Sequence, residues 1–351
     1  MPETPSAEPE GNLQELILEA NKLAAKLYSG TSDISIFRFP RTFREGNEKY
    51  YKPRTMAIGP FHAHATDLNR VQTKMINFSC VMGQIGGEGV MKALIAELEG
   101  LEMSARACYD SDQVVTKIKS YEFSKIMILD GCSVFVVIVQ GSSKESSVVM
   151  PTVGSSHGSV YDLPLDYVKL ENQVPFFILE SIYEKYKQDN PNAASSLSEY
   201  ALSFLGMTIL KEHKLHAPEP GQRINHLLHM AKMALFSLPR PDSASTMTTV
   251  VSMGPDKPSS SSSLTETRSA SELKAYGVNF RTPKVGNNAY LQDKRFLKNG
   301  LEIPKLMYNE ITAPLFLNFL AYEVSYHSME EHAVISYIWF MDSLIRDVND
   351  V

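Results

Sequence analysis

Leu170-Glu171-Asn172-Gln173-Val174-Pro175-Phe176-Phe177 sets three polar side chains between apolar stretches, with a proline close behind them. A proline inside an apolar helical run removes one backbone donor and clashes with the preceding turn. Val174, just before it, is biased away from helical angles. The stretch therefore predicts a helix broken at Pro175, within a helical region at 161–188. Glu171, Asn172 and Gln173 are expected to satisfy the carbonyls and amides that such a break leaves open. This makes them structural residues. A catalytic carboxylate with amide helpers would need a nucleophile or a metal set nearby, and the sequence offers neither.

Around this stretch the pattern is mostly helical. Residues 12–29 form an amphipathic repeat in which Leu13, Leu16, Ile17, Ala20, Leu23 and Leu27 share one face. Ile34-Ser35-Ile36-Phe37-Arg38-Phe39-Pro40 alternates at period two and predicts an extended segment. From 66 the apolar stripe is Leu68, Val71, Met75, Phe78 and Met82; Gly86, Gly87 and Gly89 then mark a connection between helices. Val90, Leu94, Leu98, Leu101, Ala105 and Cys108 form the next stripe. A helix starting at Asp112 runs into the valine-rich run 134–139, where period alone leaves helix and strand open. Further helices are expected at 195–213, 222–236, 270–276, 312–327 and 331–347. Segments 278–280, 295–297 and 301–303 predict a small antiparallel element, with Asn299-Gly300 as its hairpin turn.

The expected fold is thus mainly α, a multi-helix globular fold with a small antiparallel β-hairpin element near 278–303. Residues 1–11 are Pro/Glu-rich and read as a disordered N-terminus. Residues 12–241 read as the helical core, and 242–268, with five consecutive serines, as a disordered Ser/Thr-rich loop. Residues 269–351 read as the hairpin and closing helices packed on the same core. That core should use Leu94, Leu98, Leu101, Ile126, Leu129, Phe176, Phe177, Leu179, Leu202, Phe204, Leu227, Leu228, Phe316 and Leu320.

Composition narrows the function classes. The apolar share of 43% and the charged share of 21% suit a globular chain. A net charge of -6 argues against a nucleic-acid binder. No run of about 18 apolar residues exists, so no membrane span is expected in this chain. The three cysteines, Cys80, Cys108 and Cys132, form no CxxC pair.

Patterns with chemical potential are sparse. His62 and His64 form an HxH pair, which binds zinc only with further ligands; none is spaced for it, and no metal or cofactor is expected. Asp130-Gly131-Cys132 suggests a thiol nucleophile, but the valines behind it predict burial, where thiols are inert. Tyr322-Glu323 suggests a buried hydrogen-bonding pair. No GxSxG, Walker loop or HExxH occurs.

Taken in order, the chain resembles the plant family called domain of unknown function 247. The pieces that carry the resemblance begin with Arg38-Phe39-Pro40 plus Arg44, then Ile58-Gly59-Pro60-Phe61-His62, Ala105-Arg106-Ala107-Cys108-Tyr109 and Met127-Ile128-Leu129-Asp130-Gly131-Cys132. They continue through 170–177, Ser271-Glu272-Leu273-Lys274 with Gly277-Val278-Asn279-Phe280, Leu301-Glu302-Ile303-Pro304, and Asn318 with Ala321-Tyr322-Glu323. They span about residues 36 to 350. Two departures stand out. The family's paired histidines are here His62 and Ala63, and its tryptophan- and arginine-rich approach to the central motif is replaced at 161–168.

The resemblance implies no enzyme activity. It implies a non-enzymatic interaction protein with a protein partner, and for grass-type members a role in self/non-self recognition between pollen and stigma. The specificity surfaces would be the loops 141–160 and 239–268. The motif residues Glu171, Asn172, Gln173, Pro175, Asp130 and His62 would be structural. A hydrolase or transferase using Cys132 or Glu171 is the alternative. The family is implied to be membrane-associated through a C-terminal tail. Ending at Val351, the chain reads as a truncated member, cytoplasmic if the tail is absent, and a non-functional remnant is a third reading.

Overall fold

The valine-rich run at 134–139 is helical. It belongs to the longest helix among the described residues, which is enclosed by other helices; a helix that is apolar on all sides needs such an enclosure. In the computed structural model, the described residues are 34–63, 68–110, 113–142, 162–211, 213–219, 221–236, 268–283, 290–298, 300–326 and 332–350. The expected helix at 12–29, His64, Asp112 and nearly all of 141–160 and 239–268 lie outside them.

The helices are α1 (Arg41–Arg44), α2 (Glu48–Tyr51), α3 (Leu68–Gln84), α4 (Glu88–Gly100), α5 (Glu102–Ala107), α6 (Gln113–Lys117), α7 (Ser120–Gly141), α8 (Asp162–Asp166), α9 (Phe176–Asp189), α10 (Leu197–Thr208), α11 (Leu227–Leu235), α12 (Ala270–Ala275), α13 (Thr312–Ser325) and α14 (Ala333–Leu344). The architecture is mainly helical, as expected. Helix α7 is the axis, with α3, α4, α9 and α10 around it. Phe123, Cys132, Phe135 and Ile138 on α7 are fully enclosed. One apolar cluster joins Ile36 to Tyr337. Of the expected core, Leu94, Leu98, Phe176, Leu179, Phe204, Leu227 and Leu228 are buried. Leu101, Ile126, Leu129, Phe177, Leu202, Phe316 and Leu320 are only partly so.

Three expectations need correction. The region 161–188 is not one helix broken at Pro175. It is α8, then an irregular segment over 167–175, then α9, with Pro175 as the residue that caps the start of α9. Amides at a helix start have no intrahelical partner, so the missing N–H of Pro175 costs nothing there. The amide of Phe176 instead donates to the carbonyl of Asn225 at 2.8 Å.

Helix α3 is rotated relative to its apolar stripe, of which Phe78 and Met82 still pack against the core. Thr73, Lys74, Asn77 and Val81 face inward, while Val71 and Met75 are 42% and 51% exposed. The cause is Lys74, whose ammonium is paired with the buried carboxylate of Asp130 on α7. A buried charge needs such a partner, and that requirement overrides the packing of a few apolar side chains.

The sheet is mixed. Strands β1 (Asn279–Arg281), β2 (Arg295–Leu297) and β3 (Gly300–Glu302) lie in the order β1-β3-β2. The hairpin β2–β3 is antiparallel, as expected, but β1 joins β3 in parallel. Leu297 faces Gly300, so Gly300 is the first residue of β3 and not part of the turn, as Asn299-Gly300 would have it. Asn279 also faces Gly300, and a Cβ there would fall 2.4 Å from the Asn279 carbonyl, so glycine is required inside the strand. At the other end of the chain, the extended segment near Ile36 makes one parallel bridge to Tyr109.

Candidate functional site: a buried polar knot around Glu171

Residues 52–62 carry prolines and a glycine and form no continuous helix or strand, so their amides need partners from elsewhere. Those partners come from α7, α8 and the 167–173 segment. The Asp166 carboxylate, fully buried, accepts the amides of Arg54 at 3.0 Å, Thr55 at 2.6 Å and Met56 at 3.0 Å, and the Thr55 hydroxyl at 2.7 Å. Lys169 Nζ donates to Asp166 at 2.8 Å and to the Lys52 carbonyl at 2.7 Å.

Asn172 uses both ends of its amide. Its Oδ1 accepts the Ile58 amide at 2.7 Å, and its Nδ2 donates to the carbonyls of Met56 at 3.0 Å and Asp166 at 2.8 Å. Gly59 follows at φ 71°. Its amide donates to Asp130 at 2.8 Å, and a Cβ at this position would lie 2.4 Å from the Gln173 carbonyl. Only glycine combines that backbone angle with that approach. The same Gln173 carbonyl accepts the Tyr109 hydroxyl at 2.9 Å. The Gln173 side chain donates to the carbonyls of Tyr167 and Lys169 at 2.8 and 2.9 Å, and accepts the Leu228 amide at 3.2 Å.

Glu171, 1% exposed, receives most of its partners from the N-terminal segment. Its Oε1 accepts the Phe39 amide at 2.7 Å and pairs with Arg44. Its Oε2 accepts from Arg38 at 3.2 Å, with His62 Nε2 also 3.2 Å away but off the line of a good hydrogen bond. Burial alone would push this carboxyl up. His62, the Phe39 amide and the Arg44 charge together outweigh it and hold the carboxyl below its ordinary value. Arg38 and Arg44 also lie over the rings of Phe61 and Tyr51, at 4.3 and 4.7 Å from the ring centres.

Asp130 has the opposite balance. Burial raises its carboxyl, and Lys74 with the Gly59 amide only partly counters this. Asn318 on α13 closes the far side: its Oδ1 accepts the Leu170 amide at 2.9 Å, and its Nδ2 donates to the Tyr50 carbonyl at 3.0 Å. Beyond it, Glu323 pairs with Lys232 at 3.0 Å and accepts the amides of Val334 and Ile335, so a carboxylate sits on the N-terminus of α14. Tyr322 is buried as well, and its hydroxyl accepts from Asn225 at 3.1 Å. His226 contacts the Ser35 carbonyl through Nε2 at 2.8 Å and is pushed by burial down to about 4.

The structure therefore brings Glu171, Asn172, Gln173, Asp130 and His62 into one network, with Pro175 at its edge. Their partners are not the local groups of a helix break alone; most lie far away in sequence. Arg38 and Arg44 are visible as motif pieces. Lys74, Asp166, Lys169 and Gly59's close approach carry no chemical signature of their own. The polar positions 73, 74 and 77, spaced as one helix face, are the signal that could have revealed Lys74.

As chemistry, the knot is closed. Both oxygens of Glu171 are taken, and a general base needs access and a proton affinity near the working pH. Cys132 is enclosed, its thiol pushed by burial up to about 12. Among the described residues no group of three His, Cys, Asp or Glu could hold a metal ion, and no helix is long and apolar enough to cross a membrane.

No solved structure matches this chain. It is 28% identical over 336 residues to UPF0481 protein At3g47200 of Arabidopsis thaliana, covering 92% of this chain and 67% of that protein. It is 21% identical over 164 residues to putative UPF0481 protein At3g02645 of the same plant, covering 47% and 29%. Residues 36–351, which contain the whole knot, match the family model described as plant protein of unknown function, DUF247. The chain belongs to this plant family, domain of unknown function 247.

Proposed function

We propose that this chain is a non-enzymatic recognition protein of plants, acting by protein–protein binding, with self/non-self recognition between pollen and stigma as its setting. The observation that carries the reading is the saturation of Glu171. The most chemically suggestive carboxylate of the motif is bound on both oxygens to the N-terminal segment, so its role is to hold the scaffold. The pollen–stigma setting is supported by the resemblance of the opening Phe37-Arg38-Phe39-Pro40-Arg41 to grass-type members. A net charge of -6 favours a protein partner over nucleic acid. The segments 141–160 and 239–268 carry specificity in this reading, because loops change without disturbing a core.

The test exchanges 141–160 and 239–268 between allelic forms of the protein and measures which partner each hybrid retains from stigma and pollen extracts. Partner choice that travels with the segments supports the reading. Partner choice that ignores them sinks it.

A further inference from the structure

The knot is enclosed, and recognition needs an open concave surface. One lies between α9 and α4–α5. It is a cleft of about 650 Å³, within the size range of ordinary ligand sites. Leu101 and Phe177, both half-buried, and Cys108 give it an apolar wall. Glu97, Glu180 and Glu184 add three carboxylates, against the single base Arg223.

The acids are not equivalent. Glu97 pairs with Lys185 at 2.9 Å. Glu180 and Glu184 sit one turn apart on α9, and neither has an ion pair or hydrogen bond among the described residues. Partial burial, with Glu184 adding repulsion, raises the Glu180 carboxyl. The cleft thus presents an apolar wall beside two exposed carboxylates that make no ion pair among the described residues.

We propose that this cleft takes a peptide segment of a protein partner that presents a lysine or arginine beside a large apolar side chain. The proposal rests on the recognition reading and names the chemistry of the partner. The apolar side chain would cover Leu101 and Phe177, and the cation would stand between Glu180 and Glu184. Arg223 in the same lining disfavours a polycation, so one basic residue fits better than a run of them.

The test uses the full chain and a fluorescein-labelled decapeptide with one arginine three residues from one leucine, in a glycine–serine background. Controls replace the arginine by glutamate, replace the leucine by serine, or offer spermine as competitor. Fluorescence anisotropy should show binding of the first peptide and of neither control peptide. E180Q/E184Q should weaken it about three- to tenfold, as expected for two partly exposed ion pairs. E48Q/E310Q, an equal charge change elsewhere, should leave it unaltered. Equal loss in both double variants, displacement by spermine at matching charge, or no binding at all would overturn the proposal. A chain that ignores this peptide yet still sorts partners in the segment-exchange assay would remove the cleft and leave the recognition reading standing.

Discussion

Glu171 accepts the backbone amide of Phe39 at 2.7 Å across 132 residues of chain. The bond fixes the entry of the N-terminal segment, and the same carboxylate pairs with Arg38 and Arg44. Glu171→Gln keeps the shape and removes the charge. Both arginine side chains are partly exposed, at 25% and 32%, so water offsets part of the loss. The expected destabilisation is about 2–3 kcal/mol, below the usual cost of breaking a fully buried pair. Chemical denaturation measures it, and an unmoved midpoint would show that the charge contributes nothing.

Asn172 offers a sharper distinction, because it donates and accepts at once. Asn172→Ala leaves the Ile58 amide and two carbonyls without partners, and should cost about 3 kcal/mol. Asn172→Asp preserves the bond to Ile58 but turns a carboxylate oxygen towards the carbonyls of Met56 and Asp166. It should therefore be no more stable than the alanine variant, while surviving protein keeps its partner binding. Thermal melts of the two variants decide the ranking. An aspartate variant as stable as the wild type would contradict the assigned amide orientation.

Much of this was legible from sequence, and the reason for the remainder is physical. Local signals worked where local forces decide. Helix α12 ends just before Gly277, at φ 87°, and begins with the Ser269–Glu272 capping box. The central motif was readable as buried and polar. Its partners were not, because Asn172 and Ile58 are 114 residues apart and no periodicity links them. The rotated face of α3 follows from the same limit: Lys74 points inward towards Asp130, which lies on another helix. In the run 134–139, enclosure by neighbouring helices overrode the strand preference of valine.

The cysteines should separate cleanly in reaction with a mild thiol reagent. Cys80 is exposed, whereas Cys108 and Cys132 are buried, and the Cys132 thiol is pushed up to about 12 by burial, with Asp130 adding to it. Mass spectrometry of the native protein at neutral pH should find one adduct, on Cys80. The other two should appear only on unfolding. Rapid native labelling of Cys132 would favour the hydrolase or transferase reading.

Acid should weaken the fold through His226. Burial lowers its folded pKa from 6.5 to about 4, so the unfolded chain binds the proton more readily. Its contribution is complete above 6.5 and is lost as the pH falls from there to about 4, by up to about 3 kcal/mol. His229, buried beside it and lowered well below its ordinary value, acts in the same direction. His226→Gln keeps a donor for the Ser35 carbonyl and removes the titration. Denaturation midpoints between pH 7 and 4.5 should fall less steeply in this variant. Identical slopes would show that His226 does not govern the acid response.

The tie between Tyr50 and Asn318 has a consequence for how the chain is made. A ribosome releases the Tyr50 carbonyl 268 residues before the side chain that binds it. At about 5–20 residues per second, that is a wait of roughly ten to fifty seconds. During this time the 52–62 segment must also await Asp130, Asp166 and Asn172, and its apolar residues Met56, Ile58 and Phe61 have no finished core to enter. The N-terminal third therefore cannot complete its hydrogen bonding until residues far down the chain have been made. Only the arrival of α13 supplies the Asn318 side chain that closes this tie.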